Sequence, residues 1–252
     1  MELKLEGKTA LVTGASSQGI GRAIAKGLAA EGVQLCIAAR RRELLEQLAD
    51  EIGASGGRRP VVIAADLLQA DGPAKLAEET LARLGSIGIL VNSAGFGLGR
   101  YGLNAPEEQW EREFALIFAN IRKLSLAVVP DMIKHQWGRI ISITGHSETR
   151  YLNGATASKA AVHGFSKGLS CEVGKHGITV NCIAPGKILS EQVLRKYDEH
   201  KRKEIAEEEI PVGRFGEPEE LARLAVFLSS PLASYITGTV IPVDGGLRRY
   251  AF

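Results

Sequence analysis

The residues best able to do chemistry stand just after strand-like runs. The first group is Thr13-Gly14-Ala15-Ser16-Ser17-Gln18-Gly19-Ile20-Gly21, between the apolar run KTALVT at 8–13 and a helical stretch. Glycines allow a tight turn and let a diphosphate approach the backbone, while the free N–H groups and positive dipole end of the helix beyond Gly19 favour an anion. Gly14, Ser16, Ser17, Gly19, Ile20 and Gly21 are therefore candidate contacts for the diphosphate of a dinucleotide. The second group, Ala38-Ala39-Arg40-Arg41-Arg42, closes the next strand-like run. It has no acidic residue to hydrogen-bond an adenosine ribose, whereas an arginine pairs with a 2′-phosphate. Arg40 is the candidate, NADP(H) the preferred cofactor and NAD(H) the alternative. The third group, Thr144-Gly145-His146-Ser147-Glu148-Thr149-Arg150-Tyr151, is rich in side chains that carry protons. His146, which titrates near neutrality, Ser147 and Tyr151 are its candidate proton donors. A G-x-S-x-G pattern at 164–168 is set aside, because a nucleophile elbow needs a sharp strand-to-helix turn and this one lies inside a helical stretch.

These groups come together only if the strand ends do. Nearly continuous apolar runs (KTALVT, VQLCIAA, PVVIAA, IGILVN, GRIISIT, ITVNCIA, TVIPV) alternate with helical stretches at about 71–84, 106–136, 153–175, 188–207 and 217–229, as well as the two between the first three runs. Apolar runs imply burial on both faces and hence a parallel sheet. The expected fold is α/β: one Rossmann-type, doubly wound parallel sheet of about seven strands with helices on both faces, a single domain over residues 1–252. Ligands of such sheets bind outside the carboxyl ends of the strands.

Composition agrees with a globular chain: 252 residues with 45% hydrophobic and 24% charged side chains are enough for a substantial core. A formal net charge of +2 gives no reason to expect nucleic acid or an acidic membrane as partner. No apolar stretch has signal-peptide or spanning length, so a cytoplasmic location is the expectation. Cys36, Cys171 and Cys182 are too scattered for a disulfide framework or a metal pair.

Several motifs in order give the chain a family resemblance. Besides TGASSQGIG they are Ala65-Asp66-Leu67, Leu90-Val91-Asn92-Ser93-Ala94-Gly95, Ala157-Ser158-Lys159, Asn181-Cys182-Ile183-Ala184-Pro185-Gly186, Gly213-Arg214-Phe215-Gly216-Glu217-Pro218 and Val243-Asp244-Gly245-Gly246. Together they resemble the short-chain dehydrogenase/reductase family over the whole chain, most closely its 3-oxoacyl-acyl-carrier-protein reductase-like members. The resemblance implies that Asp66 and Leu67 hold the adenine edge, that Asn92, Ala94 and Gly95 line the cofactor channel, and that Pro185, Gly186 and Ile188 frame the nicotinamide. It implies that Lys159 binds the nicotinamide ribose. It also implies a substrate lid at about 188–212, with Leu194 and Tyr197 as apolar contacts, and a homotetramer built on the long helix, the Lys159 helix and the last strand.

The chain also departs from that family pattern. The glycine loop carries one extra residue, with five steps from Gly14 to Gly19. The position of the catalytic tyrosine, four before Lys159, is Ala155. The catalytic serine position falls on Gly145, or on Ser147 in a shifted register, and the asparagine position on Ile117, with Asn120 one turn further on. Reduction of a ketone generates an alkoxide that must be stabilised and protonated, which alanine, glycine and isoleucine cannot do. Related dienoyl-CoA reductases place a hydroxyl donor after this same strand, and enoyl reductases a tyrosine near the spacing of Tyr151. The sequence thus predicts an NADP(H)-dependent oxidoreductase for a small-molecule or acyl-thioester substrate bearing a carbonyl or enoyl group, with a non-standard donor. The alternative is a catalytically silent relative that binds a dinucleotide as a sensor or structural subunit.

Overall fold

Burial on both faces turns the apolar runs into strands: every residue of Thr9–Thr13 is buried, as are all but the last of Ile178–Pro185. The computed structural model describes residues 2–95, 102–145 and 152–248. Among them, β1 (Thr9–Thr13), β2 (Gln34–Ala39), β3 (Val61–Ala64), β4 (Ile89–Asn92), β5 (Gly138–Ile143), β6 (Ile178–Pro185) and β7 (Val240–Val243) form one sheet. All neighbours pair in parallel, in the order β3-β2-β1-β4-β5-β6-β7.

Helices cover both faces. On one, α1 (Ile20–Ala30), α2 (Arg42–Ala54) and α9 (Pro218–Leu228) bury Ile24, Leu28, Leu48 and Leu221 against Val12, Ile37 and Val91. On the other, α3 (Gly72–Leu84), α5 (Asn120–Lys134) and α6 (Gly154–Val173) bury Leu76, Leu124, Val128 and Leu169 against Leu11, Leu90 and Ile140. Each such aliphatic side chain, fully buried, contributes about 1.5–3 kcal/mol of transfer free energy. Asn153 caps α6 by accepting a hydrogen bond from Thr156 N at 3.0 Å. Cys36 and Cys182 are buried and Cys171 is exposed; burial pushes both buried thiols up to about 11, so they act as small apolar residues.

Two helical stretches differ from the sequence expectation. The long helix expected over 106–136 comprises α4 (Glu107–Glu113), a π-helical turn (Phe114–Ala119) and α5. The Asn120 side chain donates to Leu116 O at 3.2 Å, so its amide serves the widened turn and not a cavity. The stretch expected over 188–207 is two short helices, α7 (Glu191–Lys196) and α8 (Glu199–Glu209). They divide at Tyr197 because the Asp198 carboxylate caps α8, accepting from Lys201 N at 2.7 Å. Ile205, Ala206, Ile210 and Phe215, with Tyr197, Val193 and Leu247 against them, make a small apolar cluster of this segment's own.

Candidate active site

Strand order reverses between β1 and β4, and there the chain builds a cradle. Thr13 ties the two strand ends together: its hydroxyl donates to Val91 O at 3.3 Å and accepts from Ser93 N at 3.1 Å and Ala94 N at 3.2 Å. Gly14 has φ +72°, and a Cβ on it would stand 2.7 Å from Ser93 O. A Cβ on Gly21 would stand 2.7 Å from Gly14 O. Two glycines are therefore required by close backbone approach, and they bring the start of α1 to the mouth of the switch point.

Above the cradle lies a cavity of about 840 Å³. Gly14, Ser16, Ser17, Gly19, Ile20 and Gly21 line it, as do Arg40, Asp66, Leu67, Ala94, Gly95, Lys159 and Pro185. Three residues expected beside them are not on its wall. Asn92 is buried beneath it, donating to Ser125 Oγ at 3.3 Å and Ser142 Oγ at 3.4 Å. Gly186 lies against Asp244, whose Cα would be 2.6 Å from an added Cβ. Ile188 is buried, bridged to Gly216, and points its side chain at that glycine. The candidate donors His146, Ser147 and Tyr151 lie outside the described residues.

Sequence reading expected a lid over 188–212 but did not name the side chains it brings to the cavity. Ser190, Glu191, Gln192, Arg195 and Lys196 line it from the start of α7 onward, beside the glycine loop. Glu191 N donates to Gln18 O at 2.8 Å, and the Glu191 carboxylate pairs with Arg41 and Arg195. Of the residues that meet this segment, Arg41 lines the cavity beside Arg40.

At the far end stand Lys159, Thr144, Leu116, Ile117 and Ile121. Burial pushes the Lys159 ammonium below its usual range, against the opposite pull of the Glu113 carboxylate. Glu113 is only 2% exposed, accepts from Gln109 Nε2 at 3.0 Å, and lies against the first turn of α6, where a Cβ on Gly154 would be 2.5 Å from Oε2. Ala155 packs among Ile117, Ile121, Val162 and Cys182. His163, one turn beyond Lys159, places Nε2 2.9 Å from Thr144 Oγ1.

Chemically, the wall suits an extended anion. Backbone N–H groups at a helix start, Arg40, Arg41, Arg195, Lys196 and Lys159 all border one cavity whose floor only glycine fits. Among the described residues no cluster of His, Cys, Asp and Glu could hold a metal ion.

The parallel sheet, its reversal of strand order and the crevice above it define a Rossmann-type α/β protein. A sequence model of the family described as enoyl-(acyl carrier protein) reductase matches residues 14–248. The chain is 37% identical to the 3-oxoacyl-[acyl-carrier-protein] reductase FabG of Aquifex aeolicus, over 98% of this chain and 100% of that one. It is 36% identical to FabG of Escherichia coli, over 97% and 99%. The crystal structure of L-sorbose reductase from Gluconobacter frateurii, complexed with NADPH and L-sorbose, superposes with a TM-score of 0.93 at 33% identity, covering 99% of this chain and 100% of that one. The chain belongs to the short-chain dehydrogenase/reductase family. No helix among the described residues is long and apolar enough to cross a membrane.

Proposed function

We propose that the protein is an NADP(H)-dependent oxidoreductase that reduces a carbonyl or enoyl group of a small-molecule or acyl-thioester substrate, with a proton donor other than the family's tyrosine. The observation that carries this reading is the continuity of one cavity from the glycine cradle, past Arg40 and Arg41, to Lys159. When bound, the dinucleotide would supply a hydride. Gly14, Ser16, Ser17, Gly19, Ile20 and Gly21 would hold its diphosphate, Arg40 and Arg41 a 2′-phosphate, Asp66 and Leu67 the adenine edge, and Ala94, Gly95, Pro185 and Lys159 the ribose and nicotinamide end. Segment 188–212 would serve as the lid that encloses substrate. Leu194, 53% exposed on α7, is an apolar surface free to meet it, whereas Tyr197 belongs to the lid's own cluster.

The relatives' names support ketoacyl thioesters and small polyol-type ketones as the first substrates to try. The test is NADPH and NADH titration followed by a panel of 3-oxoacyl, enoyl and small carbonyl compounds, reading cofactor oxidation. Tight binding without oxidation of NADPH by any of them would sink the enzyme reading and leave the dinucleotide sensor or structural subunit. The apolar packing of Ala155 on Ile117 is what favours that second reading. Absence of dinucleotide binding would sink both. The same proposal includes a homotetramer joined through α5, α6 and β7. On α6, Ala157, Ala160 and Gly164 are exposed, and nothing lies within 4 Å of a Cβ on Gly164, which leaves room for a helix to approach.

A further inference from the structure

Two of the departures from the family pattern lie close to Lys159 in the chain or in space, and its side chain fills the room beside one of them, Gly145. A Cβ built on Gly145 would stand 3.1 Å from Lys159 Cδ and 3.2 Å from Nζ, so the lysine rests where a side chain at 145 would begin. Ala155, one turn earlier on α6, extends no further than a methyl group, buried with Ile117, Ile121, Val162 and Cys182. Among the described residues Nζ makes no hydrogen bond or ion pair, yet no buried side-chain nitrogen or oxygen among them lacks a partner. Lys159 is one of the residues that line the cavity. Among the described residues, the charged or titratable groups that bear on this end are Glu113 from α4, His163 from α6 and, through its charge on His163, Arg248.

We propose that Lys159 Nζ is itself the proton donor to the substrate oxygen, with Gly145 as the positioning residue that lets it reach. This rests on the oxidoreductase reading above. A primary ammonium and a phenol have nearly the same acidity, ordinary pKa values being about 10.4 and 10, so an ammonium can protonate what a tyrosine would. It also brings a positive charge to the oxygen on which negative charge develops. In the reduction of a ketone, hydride from a reduced nicotinamide dinucleotide forms the new C–H bond at the carbonyl carbon. The C=O π pair moves onto oxygen, an Nζ–H bond breaks, and its proton forms the O–H bond. The ketone is reduced to the alcohol and the dinucleotide oxidised. Nζ, left as a neutral amine, takes a proton from water before the next turnover. Burial assists by making the ammonium readier to release its proton.

The test uses the full chain. Competitive acetylation of Lys159 across pH, read by mass spectrometry without cofactor, is expected to show a midpoint below that of the surface lysines. An unshifted midpoint overturns the assignment. Lys159→Arg keeps a cation for the ribose but is a far weaker acid. It is expected to hold NADPH within about threefold by titration and to lose at least about 100-fold in turnover, the range of general-acid contributions. Retention of more than about a tenth of the turnover overturns the assignment. Finally, Lys159→Cys treated with 2-bromoethylamine regains an ammonium of lower pKa. Turnover is expected to return, with the alkaline limb of its pH profile moved to lower pH. Failure to return, or an unmoved limb, places the donor elsewhere. A wild-type protein that binds NADPH but turns over nothing overturns the oxidoreductase reading and this inference together, whereas the other results overturn this inference alone.

Discussion

Arg41 and Glu191, 150 positions apart, form a two-pronged ion pair across the cavity mouth, with Nη1–Oε1 at 3.1 Å and Nη2–Oε2 at 2.9 Å. Each shifts the other: the carboxylate holds the guanidinium above its usual range, and the guanidinium, followed by Arg195, holds the carboxylate below. With Glu191 N donating to Gln18 O at 2.8 Å, the first residue of α7 is fastened both to the glycine loop and to the end of β2. The Arg41 fork, whose geometry suits a phosphate, is thus already occupied by the carboxylate of Glu191 on α7.

On the proposed reading, exchange of that acid for a 2′-phosphate would set the cofactor preference. Arg41→Ala is expected to weaken NADPH about 10-fold, or about 1.4 kcal/mol, and NADH less than about threefold. Glu191→Gln removes both a competitor for the fork and a like charge, and is expected to raise the preference for NADPH by about threefold or more. Because the pair is solvent-exposed, neither change should cost more than about 1 kcal/mol of stability. Parallel calorimetric titrations with both dinucleotides decide the matter, and equal losses for the two cofactors in Arg41→Ala would show that Arg41 does not read the 2′-position.

Ala155 and Ile117 occupy one apolar cluster, so the two departures from the family pattern share a space. Ala155→Tyr alone forces a ring against Ile117 and is expected to cost about 1–3 kcal/mol of stability. In the double variant with Ile117→Asn the smaller polar side chain makes room, and the combined loss should fall short of the sum by at least about 0.5 kcal/mol. Urea denaturation of the four proteins in the cycle measures this; strict additivity would mean that the two positions do not meet.

The sheet was legible in the sequence because a strand buried on both faces must be apolar at every position, as Thr9–Thr13 and Ile178–Pro185 are. The glycine cradle was legible because only backbone contact demands Gly14 and Gly21. The segment 188–212 was expected as a lid, but its contact with β2's end was not legible, since nothing local announces that Glu191 will meet Arg41. Asn92, Gly186 and Ile188 show what a motif leaves open: it names residues near a strand end, but the local packing decides which way each side chain turns. Asn92 turns inward to Ser125 and Ser142, and Ile188 is bridged to Gly216. The π-helical turn at Phe114–Ala119 was hidden because its apolar spacing reads as an ordinary helix.

The cradle itself can be tested without knowing the substrate. A Cβ on Gly21 would lie 2.7 Å from Gly14 O and 3.1 Å from Ser93 Oγ, so Gly21→Ala must push the loop off its seat. The expected result is a loss of about 10-fold or more in affinity for NADPH and NADH alike, with about 1–3 kcal/mol lost in stability. Gly53→Ala is the control: the added carbon would sit 3.8 Å from Arg59 Cβ in ordinary contact, and it should stabilise α2 by about 0.5–1 kcal/mol without touching affinity. Unchanged dinucleotide binding in Gly21→Ala would mean that the loop is not the diphosphate site.

His163 makes stability depend on pH in a direction fixed by its surroundings. Thr144 Oγ1 lies 3.2 Å from Ile183 O and 2.9 Å from His163 Nε2; donating its one proton to the carbonyl, it accepts from a neutral imidazole. Burial first, then the charges of Arg248 and Lys159, hold His163 below its usual range. The unfolded chain, where an imidazole titrates near about pH 6.5, therefore binds the proton first as pH falls. Stability from this group is fully present above that pH and is lost as pH drops toward the lowered native value. His163→Gln keeps a side-chain donor for Thr144 but cannot be charged. Its melting temperature should lie below that of the wild type at pH 7.5, with the gap closing between pH 6.5 and pH 5 as the wild type alone gives up its contribution. Melting curves that stay parallel over that range would show that His163 is free to take up its proton in the folded protein.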